Sequence, residues 1–429
     1  MSSYRIAPAQ NILGALRLPG DKSISHRYAM LGALAEGKTV LHNFSSGADC
    51  ASTLACLRQL GIKVQHSRET RDVTIEGGGG KLEQPSTALD CGNSGSTMRM
   101  MAGILAGQPL ECTLVGDESL SRRPMGRVAK PLREMGAGIE LNAGDTAPMT
   151  ICGGALHGIE YKPEVASAQV KSAVLFAGLR AKGETVVEEP YRTRDHGELA
   201  LRAFGAEVRR SRNRVAIEGG QRLRGVEALV PGDASSASFF LCAAAIFPES
   251  NLVLEGVLMN PTRAALLDVM AELGAKVKVL QLEEQHGELI GTVKIESGKL
   301  GGALIEGAQT AALIDELPVL AAIAPYTRGG IEIRDARELR VKESDRIASV
   351  AANLRAMGAD VEEREDGLRV PGQQVLHGTE IDSAKDHRIA MAFSIAALRA
   401  KGETVIGDSE SAQVSFPEFY ELLEGVLER

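Results

Sequence analysis

Residues 57–64 read LRQLGIKV, a helical turn followed by a glycine and a β-branched residue, and this pattern recurs four more times. Each copy predicts a helix that ends at a left-handed glycine and leads into a strand. The glycines at positions 61, 136, 205, 274 and 358 are 75, 69, 69 and 84 residues apart, which indicates similar units of about 70 residues. The other copies are LREMGAGI (132–139), LRAFGAEV (201–208), MAELGAKV (270–277) and LRAMGADV (354–361).

Two further repeats group these units into two sets of three. The segments GKTVL (37–41), GETVV (183–187) and GETVI (402–406) are near-copies of one another. LPGDKSIS (18–25) returns as VPGDASSA (230–237) after 212 residues, which is about three periods. The sequence therefore predicts six units that form two domains.

Each unit predicts an α/β fold. An Ala-rich helix precedes a β-branched strand, and an amphipathic helix then leads into strands of alternating polarity. We expect one domain over residues 21–230 and the other over 1–20 plus 231–429, with the active site in the cleft between them. In the fifth amphipathic helix, an apolar face is predicted for Ile347, Val350, Ala351, Leu354 and Met357.

Composition excludes several classes of protein. Of the 429 residues, 44% are hydrophobic and 24% are charged, as in a soluble globular enzyme. Aromatic residues make up 3% and tryptophan is absent, so few side chains could stack on single-stranded nucleic acid. A net charge of −8 provides no positive field for nucleic acid or an anionic membrane. We expect a monomer that binds small molecules and binds neither nucleic acid nor membranes.

No segment predicts export, a membrane span or a metal site. The first residues, MSSYRIAPAQ, lack an apolar signal core. The longest apolar run, Phe239–Phe247, is shorter than the roughly 20 residues that span a bilayer. No C-x-x-C pair and no metal-ligand spacing is present, and we expect reduced core thiols in a cytoplasmic protein. These thiols are Cys50, Cys56, Cys91, Cys112, Cys152 and Cys242.

Clusters of cations precede several predicted helices. A cation at a helix start is at the unfavourable end of the helix dipole unless an anion binds there. One such cluster is ordinary solvated surface, but five in an acidic chain favour a small polyanionic ligand. The clusters are Lys22–Arg27, Arg122–Arg127, Arg192–His196, Arg340–Arg346 and Lys385–Arg388.

Three other segments are weaker candidates. Asn93–Thr97 precedes a helix, and its small residues would let a ligand approach the backbone closely. Ser167-Ala168-Gln169 precedes an Ala-rich helix, where plain N-capping is the alternative interpretation. Asp315-Glu316 lies in apolar surroundings and is either an acid–base group or an acidic helix start.

Five motifs occur along the chain: KSISHR (22–27), RPMG (123–126), SAQ (167–169), RVKESDR (340–346) and DHRIAM (386–391). Taken together, they resemble the 5-enolpyruvylshikimate-3-phosphate synthase family, in family order and over essentially the whole chain. That resemblance implies two inverse α/β barrel-like domains, each of three βαβαββ repeats, joined by a two-stranded hinge. It also implies that the 5-hydroxyl of shikimate 3-phosphate attacks C2 of phosphoenolpyruvate, and that phosphate leaves from a tetrahedral intermediate without any cofactor.

The resemblance also implies roles for individual residues. Lys22, Asp315 and Glu343 would be catalytic, with Asp315 taking the hydroxyl proton and Glu343 exchanging a proton with C3. Shikimate 3-phosphate would be bound by Lys22, Ser23, Arg27, Ser167, Gln169, Arg194, Asp315 and Lys342. Phosphoenolpyruvate would be bound by Lys22, Gly95, Arg123, Gln169, Arg346 and Arg388.

The chain departs from the family pattern near its end. Val414 precedes Ser415-Phe416-Pro417, where one branch of the family has a lysine that helps to bind phosphoenolpyruvate. Ser-Ala-Gln and Arg194-Asp195-His196 resemble the other branch, which the inhibitor glyphosate often inhibits poorly. That branch usually has alanine at the position of Gly95, however, and the glycine favours glyphosate binding.

Three alternatives have different sequence requirements. UDP-N-acetylglucosamine enolpyruvyl transferase needs a reactive cysteine before the Arg-Pro motif, but 116–122 contains none and Cys112 lies upstream in an apolar strand. The RNA 3′-phosphate cyclase family would need a nucleotide site and a basic surface. An inactive scaffold would have lost Lys22, Asp315 or Glu343, yet all three are present.

Overall fold

The computed structural model describes residues 2–429, which divide into two compact units. We call residues 20–230 together with 284–288 the first unit. The second unit contains the described residues up to Pro19 together with 231–283 and 289–429. The chain thus passes from the second unit to the first at Pro19–Gly20 and back at Val230–Pro231.

Helices of two kinds, α and 3₁₀, occur in the described residues. The α-helices are α1 Lys22–Leu34, α2 Ala48–Gln59, α3 Gly95–Ala106, α4 Gly126–Glu134, α5 Ala168–Gly178, α6 His196–Ala203, α7 Ala234–Ile246, α8 Ala265–Glu272, α9 Gly307–Ala312, α10 Leu317–Ile323, α11 Arg346–Ala356, α12 His387–Ala397 and α13 Phe419–Glu424. The short 3₁₀ helices are Leu120–Arg122, Ala324–Tyr326, Arg337–Val341 and Ser409–Val414.

The strands are short and lie between the helices in both units. They are β1 Ser3–Ile6, β2 Asn11–Arg17, β3 Glu36–His42, β4 Lys63–Ser67, β5 Asp72–Gly78, β6 Leu89–Asp90, β7 Glu111–Val115, β8 Gly138–Asn142, β9 Thr146–Cys152, β10 Leu156–His157, β11 Glu160–Tyr161, β12 Ala181–Lys182, β13 Glu184–Glu188, β14 Val208–Ser211, β15 Arg214–Glu218, β16 Glu227–Leu229, β17 Asn251–Leu258, β18 Lys276–Gln285, β19 Glu288–Glu296, β20 Gly302–Ile305, β21 Gly330–Ile333, β22 Glu362–Arg364, β23 Gly367–Val370, β24 Glu380–Ile381, β25 Thr404–Gly407 and β26 Leu427–Glu428.

Six sheets share one arrangement, in which a parallel pair of strands is extended by an antiparallel neighbour. The first unit has the orders β16-β3-β5-β4, β6-β7-β9-β8 and β11-β13-β15-β14. In the second unit the orders are β18-β19-β17-β2-β26, β20-β21-β23-β22 and β1-β25-β24. Strands β10 and β12 form an additional parallel pair. The predicted mixed α/β fold with six repeats is therefore confirmed, and the described strands form separate sheets rather than a closed barrel.

Three helices in each unit are buried along nearly their whole length. They are α1, α3 and α5 in the first unit and α7, α10 and α12 in the second. A helix that is covered on all sides needs small or apolar side chains around most of its circumference, which explains the Ala-rich segments. Helix α3 packs closely against α5 because Gly103 has no Cβ. A methyl group at that position would overlap the carbonyl oxygen of Ala173.

The repeated glycines end the outer, amphipathic helices as predicted. Their φ angles lie between +83° and +109°, in the left-handed region that glycine adopts without strain. The predicted apolar face of α11 is also confirmed, since all five of its residues are buried. The glycines are Gly61, Gly136, Gly205, Gly274 and Gly358.

One expectation about the cysteines is wrong. All six are free thiols, but Cys152 is exposed because it ends β9 on the outer side of the strand's alternation. The others are buried, and burial raises the pKa of the Cys112 thiol to about 12. Within residues 2–429, no helix has both the length and the apolar character needed to cross a membrane. The same residues contain no group of three or more histidine, cysteine or acidic side chains that could hold a metal ion.

Candidate active site

Lys22 lies in the first turn of the buried helix α1. Asp21 caps that helix, and its carboxylate accepts a hydrogen bond from the Ile24 amide at 2.9 Å. The Lys22 Nζ lies 2.9 Å from Asp49 Oδ2, near the start of α2. This carboxylate offsets the unfavourable position of a cation at a helix start. The side chain of Lys22 is 18% exposed, so it is not completely covered by the protein.

Arg27 is buried and joins α1 to α5. Its Nε and Nη2 donate to Ser172 Oγ at 3.1 and 3.0 Å, while Nη1 donates to the carbonyl of Ser23 at 2.8 Å. Burial lowers the pKa of Arg27 to about 10; the charge of Glu198 opposes this effect and that of Arg194 adds to it. Arg27 is therefore charged at neutral pH and interacts electrostatically with Arg194.

Gln169 is held at both ends of its side-chain amide. Its Oε1 accepts a hydrogen bond from Arg99 Nη1 at 2.7 Å, and its Nε2 donates to Ser96 Oγ at 2.8 Å. Both partners belong to α3, so Gln169 is fixed between α5 and the start of α3. Ser167 caps α5, because its hydroxyl accepts a hydrogen bond from the Val170 amide at 3.3 Å.

Arg123 lies beside the start of α3. Its Nη1 donates to the carbonyl of Asn93 at 3.2 Å, and its Nη2 donates to Asn93 Oδ1 at 2.7 Å. A methyl group on Gly95 would lie 3.1 Å from Arg99 Nη1 and 3.5 Å from Arg123 Nη1. Gly95 thus faces two guanidinium groups, and its missing Cβ leaves space beside them.

Asp315 lies between two cations of the second unit. Its Oδ1 is 3.7 Å from Lys342 Nζ and 3.7 Å from Arg346 Nη1. Asp315 lies two residues before the start of α10, Lys342 follows a 3₁₀ helix, and Arg346 begins α11. Three separate elements therefore bring these charges together.

Arg346 is almost completely buried and is held by two carboxylates. Its Nε and Nη2 donate to Asp386 Oδ2 and Oδ1 at 2.8 and 3.1 Å, and Nη2 also donates to Glu343 Oε2 at 2.6 Å. Burial alone would lower the pKa of Arg346, but the charges of Asp386 and Glu343 outweigh it and hold that pKa above its usual value. Burial likewise acts to raise the pKa of Asp386, and the charge of Arg346 keeps it below its usual value.

Arg388 connects α12 to the segment that carries Asp315. Its Nη1 donates to the carbonyl oxygen of Asp315 at 3.2 Å and lies 4.0 Å from Glu316 Oε1. Asp386 caps α12 by accepting a hydrogen bond from the Arg388 amide at 2.9 Å. Asp386 therefore fixes both Arg346 and the start of the helix that carries Arg388.

The structure brings the predicted residues together in two sets, one in each unit. We call them the first half-site and the second half-site. The first half-site contains Lys22, Ser23, Arg27, Gly95, Arg123, Ser167, Gln169 and Arg194. The second half-site contains Asp315, Lys342, Glu343, Arg346 and Arg388.

Asp49, Arg99 and Asp386 hold residues of the two half-sites, but the sequence alone predicts no role for them. Arg99 is the lone charged residue of α3, whose other positions are mostly buried, and a lone charge in an apolar helix is a usable signal. Asp386 was visible in a charged cluster, but its pairing with Arg346 depends on folding. Nothing in the local sequence indicates that Asp49 pairs with Lys22.

Comparison with known proteins gives a consistent result. A family model described as EPSP synthase (3-phosphoshikimate 1-carboxyvinyltransferase) matches residues 6–423. A 3-phosphoshikimate 1-carboxyvinyltransferase from Koribacter versatilis is 62% identical over 429 residues, which is 100% of both chains. A protein of the same description from Bacillus velezensis is 47% identical over 414 residues, with 96% of each chain covered.

Solved structures show the same relationship. EPSP synthase from Acinetobacter baumannii superposes with a TM-score of 0.88 at 42% identity, covering 99% of this chain and 98% of that chain. The enolpyruvyl transferase NikO from Streptomyces tendae superposes with a TM-score of 0.80 over 98% of this chain and 96% of that chain. At 18% identity, the second likeness concerns the fold alone.

Proposed function

This chain belongs to the EPSP synthase family, and we propose that its two half-sites act together on shikimate 3-phosphate and phosphoenolpyruvate. The protein transfers the enolpyruvyl group of phosphoenolpyruvate to the 5-hydroxyl of shikimate 3-phosphate and releases phosphate. This reaction belongs to chorismate and aromatic amino acid biosynthesis.

The observation that carries the proposal is the position of Asp315. Its carboxylate lies 3.7 Å from two cations, Lys342 and Arg346, and Glu343 contacts the same arginine. An acid and a base are thus held in one cluster with cations that would neutralise substrate phosphate and carboxylate groups. General acid–base catalysis requires such positioned groups.

The first half-site would bind most of shikimate 3-phosphate. Arg27 and Arg194 supply positive charge, and Ser23, Ser167 and Gln169 supply polar groups at helix starts, where free backbone amides favour anions. Asp315 and Lys342 of the second half-site would complete this set. Lys22 would contact both substrates.

Phosphoenolpyruvate carries a phosphate and a carboxylate and so needs several fixed cations. Arginine donates two parallel hydrogen bonds to either group, and the buried guanidinium groups of Arg123, Arg346 and Arg388 are already oriented by protein partners. Gly95 and Gln169 would lie against the same substrate. A guanidinium fixed before binding loses less entropy when the substrate arrives.

The reaction would proceed by addition and elimination. The 5-hydroxyl oxygen bonds to C2 of phosphoenolpyruvate, Asp315 takes the hydroxyl proton, and Glu343 delivers a proton to C3. In the resulting tetrahedral intermediate, the bond from C2 to the phosphate oxygen breaks and phosphate leaves. Glu343 then takes a proton back from C3, which restores the double bond.

Phosphate release tests the function directly. The protein is incubated with phosphoenolpyruvate and either shikimate 3-phosphate or UDP-N-acetylglucosamine. We expect phosphate with the first acceptor and none with the second. Release with UDP-N-acetylglucosamine alone would contradict the proposal, and no release with either acceptor would favour an inactive scaffold.

Two variants test the division of roles. Arg194→Gln should raise the KM for shikimate 3-phosphate, because it removes one cation from that substrate. Arg388→Gln should mainly raise the KM for phosphoenolpyruvate. The assignment fails if each variant changes the KM of the other substrate instead, or of neither.

A further inference from the structure

A buried group of three charges lies in α5 and its neighbours, and none of the three is assigned to a substrate. Lys171 is 1% exposed, and its Nζ lies 2.8 Å from Glu189 Oε2 and 2.9 Å from Glu198 Oε1. Both carboxylate side chains are also 1% exposed. Burying charges is costly even when they are paired, and apolar side chains would fill the same space at lower cost. The cluster therefore calls for an explanation other than packing.

The two carboxylates stand on either side of one loop. Glu189 directly follows β13, and Glu198 lies in α6, so residues 190–195 form the connection between them. That connection contains Arg194, which lies two residues before His196, the first residue of α6. One ammonium group of α5 thus holds both flanks of the loop.

The cluster also reaches into the loop itself. The hydroxyl of Thr193 donates a hydrogen bond to Glu189 Oε1, while the other oxygen of Glu189 accepts from Lys171. Glu189 therefore links Lys171 to the residue that precedes Arg194. A hydrogen bond to a charged group is stronger than one between neutral groups, which suits a fixed loop position.

The same part of α5 touches another residue of the first half-site. Ser172, which follows Lys171, accepts both hydrogen bonds from Arg27 described above. Helix α5 hence fixes Arg27 directly through Ser172 and reaches the Arg194 loop through Lys171. The charges of Glu198 and Arg194 both act on Arg27. The buried cluster, the Arg194 loop and Arg27 therefore interact electrostatically.

We propose that Lys171 is a positioning residue for shikimate 3-phosphate, which acts through Glu189 and Thr193 to hold Arg194 in its binding orientation. The inference rests on the proposed role of Arg194. Because the side chain of Lys171 is 1% exposed, it would act through these other residues rather than by direct contact, and the expected effect is on the affinity for shikimate 3-phosphate. A residue with only a structural role would change the KM values of both substrates alike.

Thr193→Val is the first test, because it removes the hydroxyl while keeping the shape of the side chain. The loss of one charge-assisted hydrogen bond should raise the KM for shikimate 3-phosphate about fivefold. The KM for phosphoenolpyruvate and kcat should change less than about twofold. Thr193→Ser keeps the hydroxyl and should retain the wild-type values.

A matched control is Thr113→Val. Thr113 Oγ1 lies 3.0 Å from Thr150 Oγ1 in the β7–β9 pair of the same unit, so this variant also loses one side-chain hydrogen bond. It should leave the KM of both substrates unchanged. An equal rise in Thr113→Val and Thr193→Val would overturn the positioning role.

A double-mutant cycle separates the inference from the proposed function. If Lys171 acts through Arg194, Lys171→Met should raise the KM for shikimate 3-phosphate but add nothing to Arg194→Gln. Additive effects would overturn the inference, as would a normal KM in both Lys171→Met and Thr193→Val. If Lys171→Met fails to fold, Thr193→Val replaces it in the cycle. A normal KM in Arg194→Gln alone would contradict the proposed role of Arg194 itself.

Discussion

Arg99 donates a hydrogen bond to the side-chain oxygen of Gln169 at 2.7 Å and so joins α3 to α5. Its other terminal nitrogen donates to the carbonyl of Pro124 at 3.3 Å, next to Arg123. A single guanidinium group thus orients one residue of the first half-site directly and the segment of another. Gly95 lies beside it, where a methyl group would come within 3.1 Å of Arg99 Nη1.

Replacing Arg99 should therefore impair substrate use although the residue has no assigned substrate contact. In Arg99→Met, Gln169 loses a charged donor worth roughly a factor of 10 to 100 in binding. We expect kcat/KM for phosphoenolpyruvate to fall by a comparable factor, measured by phosphate release. Arg133→Met is the control. Arg133 lies in α4 and also donates a hydrogen bond to a backbone carbonyl, that of Ile139 at 2.9 Å, but it holds no residue of the half-site. An equal loss in both variants would contradict the role of Arg99.

Asp315→Asn should affect chemistry more than binding. The amide keeps the size of the side chain but cannot take the hydroxyl proton, and turnover should fall by roughly 10² or more. Calorimetry should still detect binding of shikimate 3-phosphate. Asp335→Asn, which changes an acid that accepts from the Gly307 amide in the same unit, should turn over normally. Normal turnover of Asp315→Asn, or its failure to fold, would refute the assignment.

Gly95→Ala should weaken binding of the inhibitor glyphosate more than binding of phosphoenolpyruvate. Glyphosate is slightly longer than the substrate, and an added methyl in a tight site costs on the order of 1–3 kcal/mol. We expect competitive inhibition of the wild-type protein despite Val414, and a much larger rise in the inhibition constant than in KM for Gly95→Ala.

Gly154→Ala is the control for this comparison, because a methyl group there meets no atom within 4 Å. Its inhibition constant should equal that of the wild type. Equal inhibition constants for the wild type and Gly95→Ala would show that Gly95 does not line the site.

His26 should make stability depend on pH. Burial, together with the charges of Lys22 and Arg27, holds the pKa of His26 well below its usual value of 6.5. The unfolded chain therefore takes up a proton below about pH 6.5 that the folded protein does not, and stability falls with decreasing pH. This one group contributes a slope of up to about 1.4 kcal/mol per pH unit.

Urea unfolding between pH 7 and pH 5 would measure that slope. His26→Asn should reduce that slope by the contribution of about one proton taken up on unfolding. Thr53→Val removes the hydroxyl that lies 2.8 Å from His26 Nδ1 but keeps the imidazole, so it should lower stability without removing the slope. Identical slopes in the wild type and His26→Asn would show that another group is responsible.

The repeats and helix ends could be predicted because their causes are local. A left-handed glycine after an amphipathic turn depends on a few neighbouring residues, and Gly61 and Gly358 both show the expected conformation. The apolar face of α11 follows in the same way from the spacing of Ile347, Val350 and Leu354.

Pairings between distant residues could not be predicted in this way. Arg99 meets Gln169 only because α3 packs against α5, and Arg346 meets Asp386 only because α11 packs against α12. Local sequence likewise contains no sign that Lys171, in an Ala-rich helix, has two carboxylates within 3 Å. The motifs identified which residues matter, whereas the residues that hold them in place required the fold.

The order in which the strands are paired has a consequence for synthesis on the ribosome. Strand β2 is translated before the stretch 20–230, yet its neighbours in the sheet, β17 and β26, are translated only after it. Nascent chains fold as complete segments become available. The strands within 20–230 can therefore pair with one another while the partners of β2 have not yet been synthesised. An unpaired strand is open to association with other chains. The N-terminal segment is therefore the part of the nascent protein for which protection by a chaperone would matter longest.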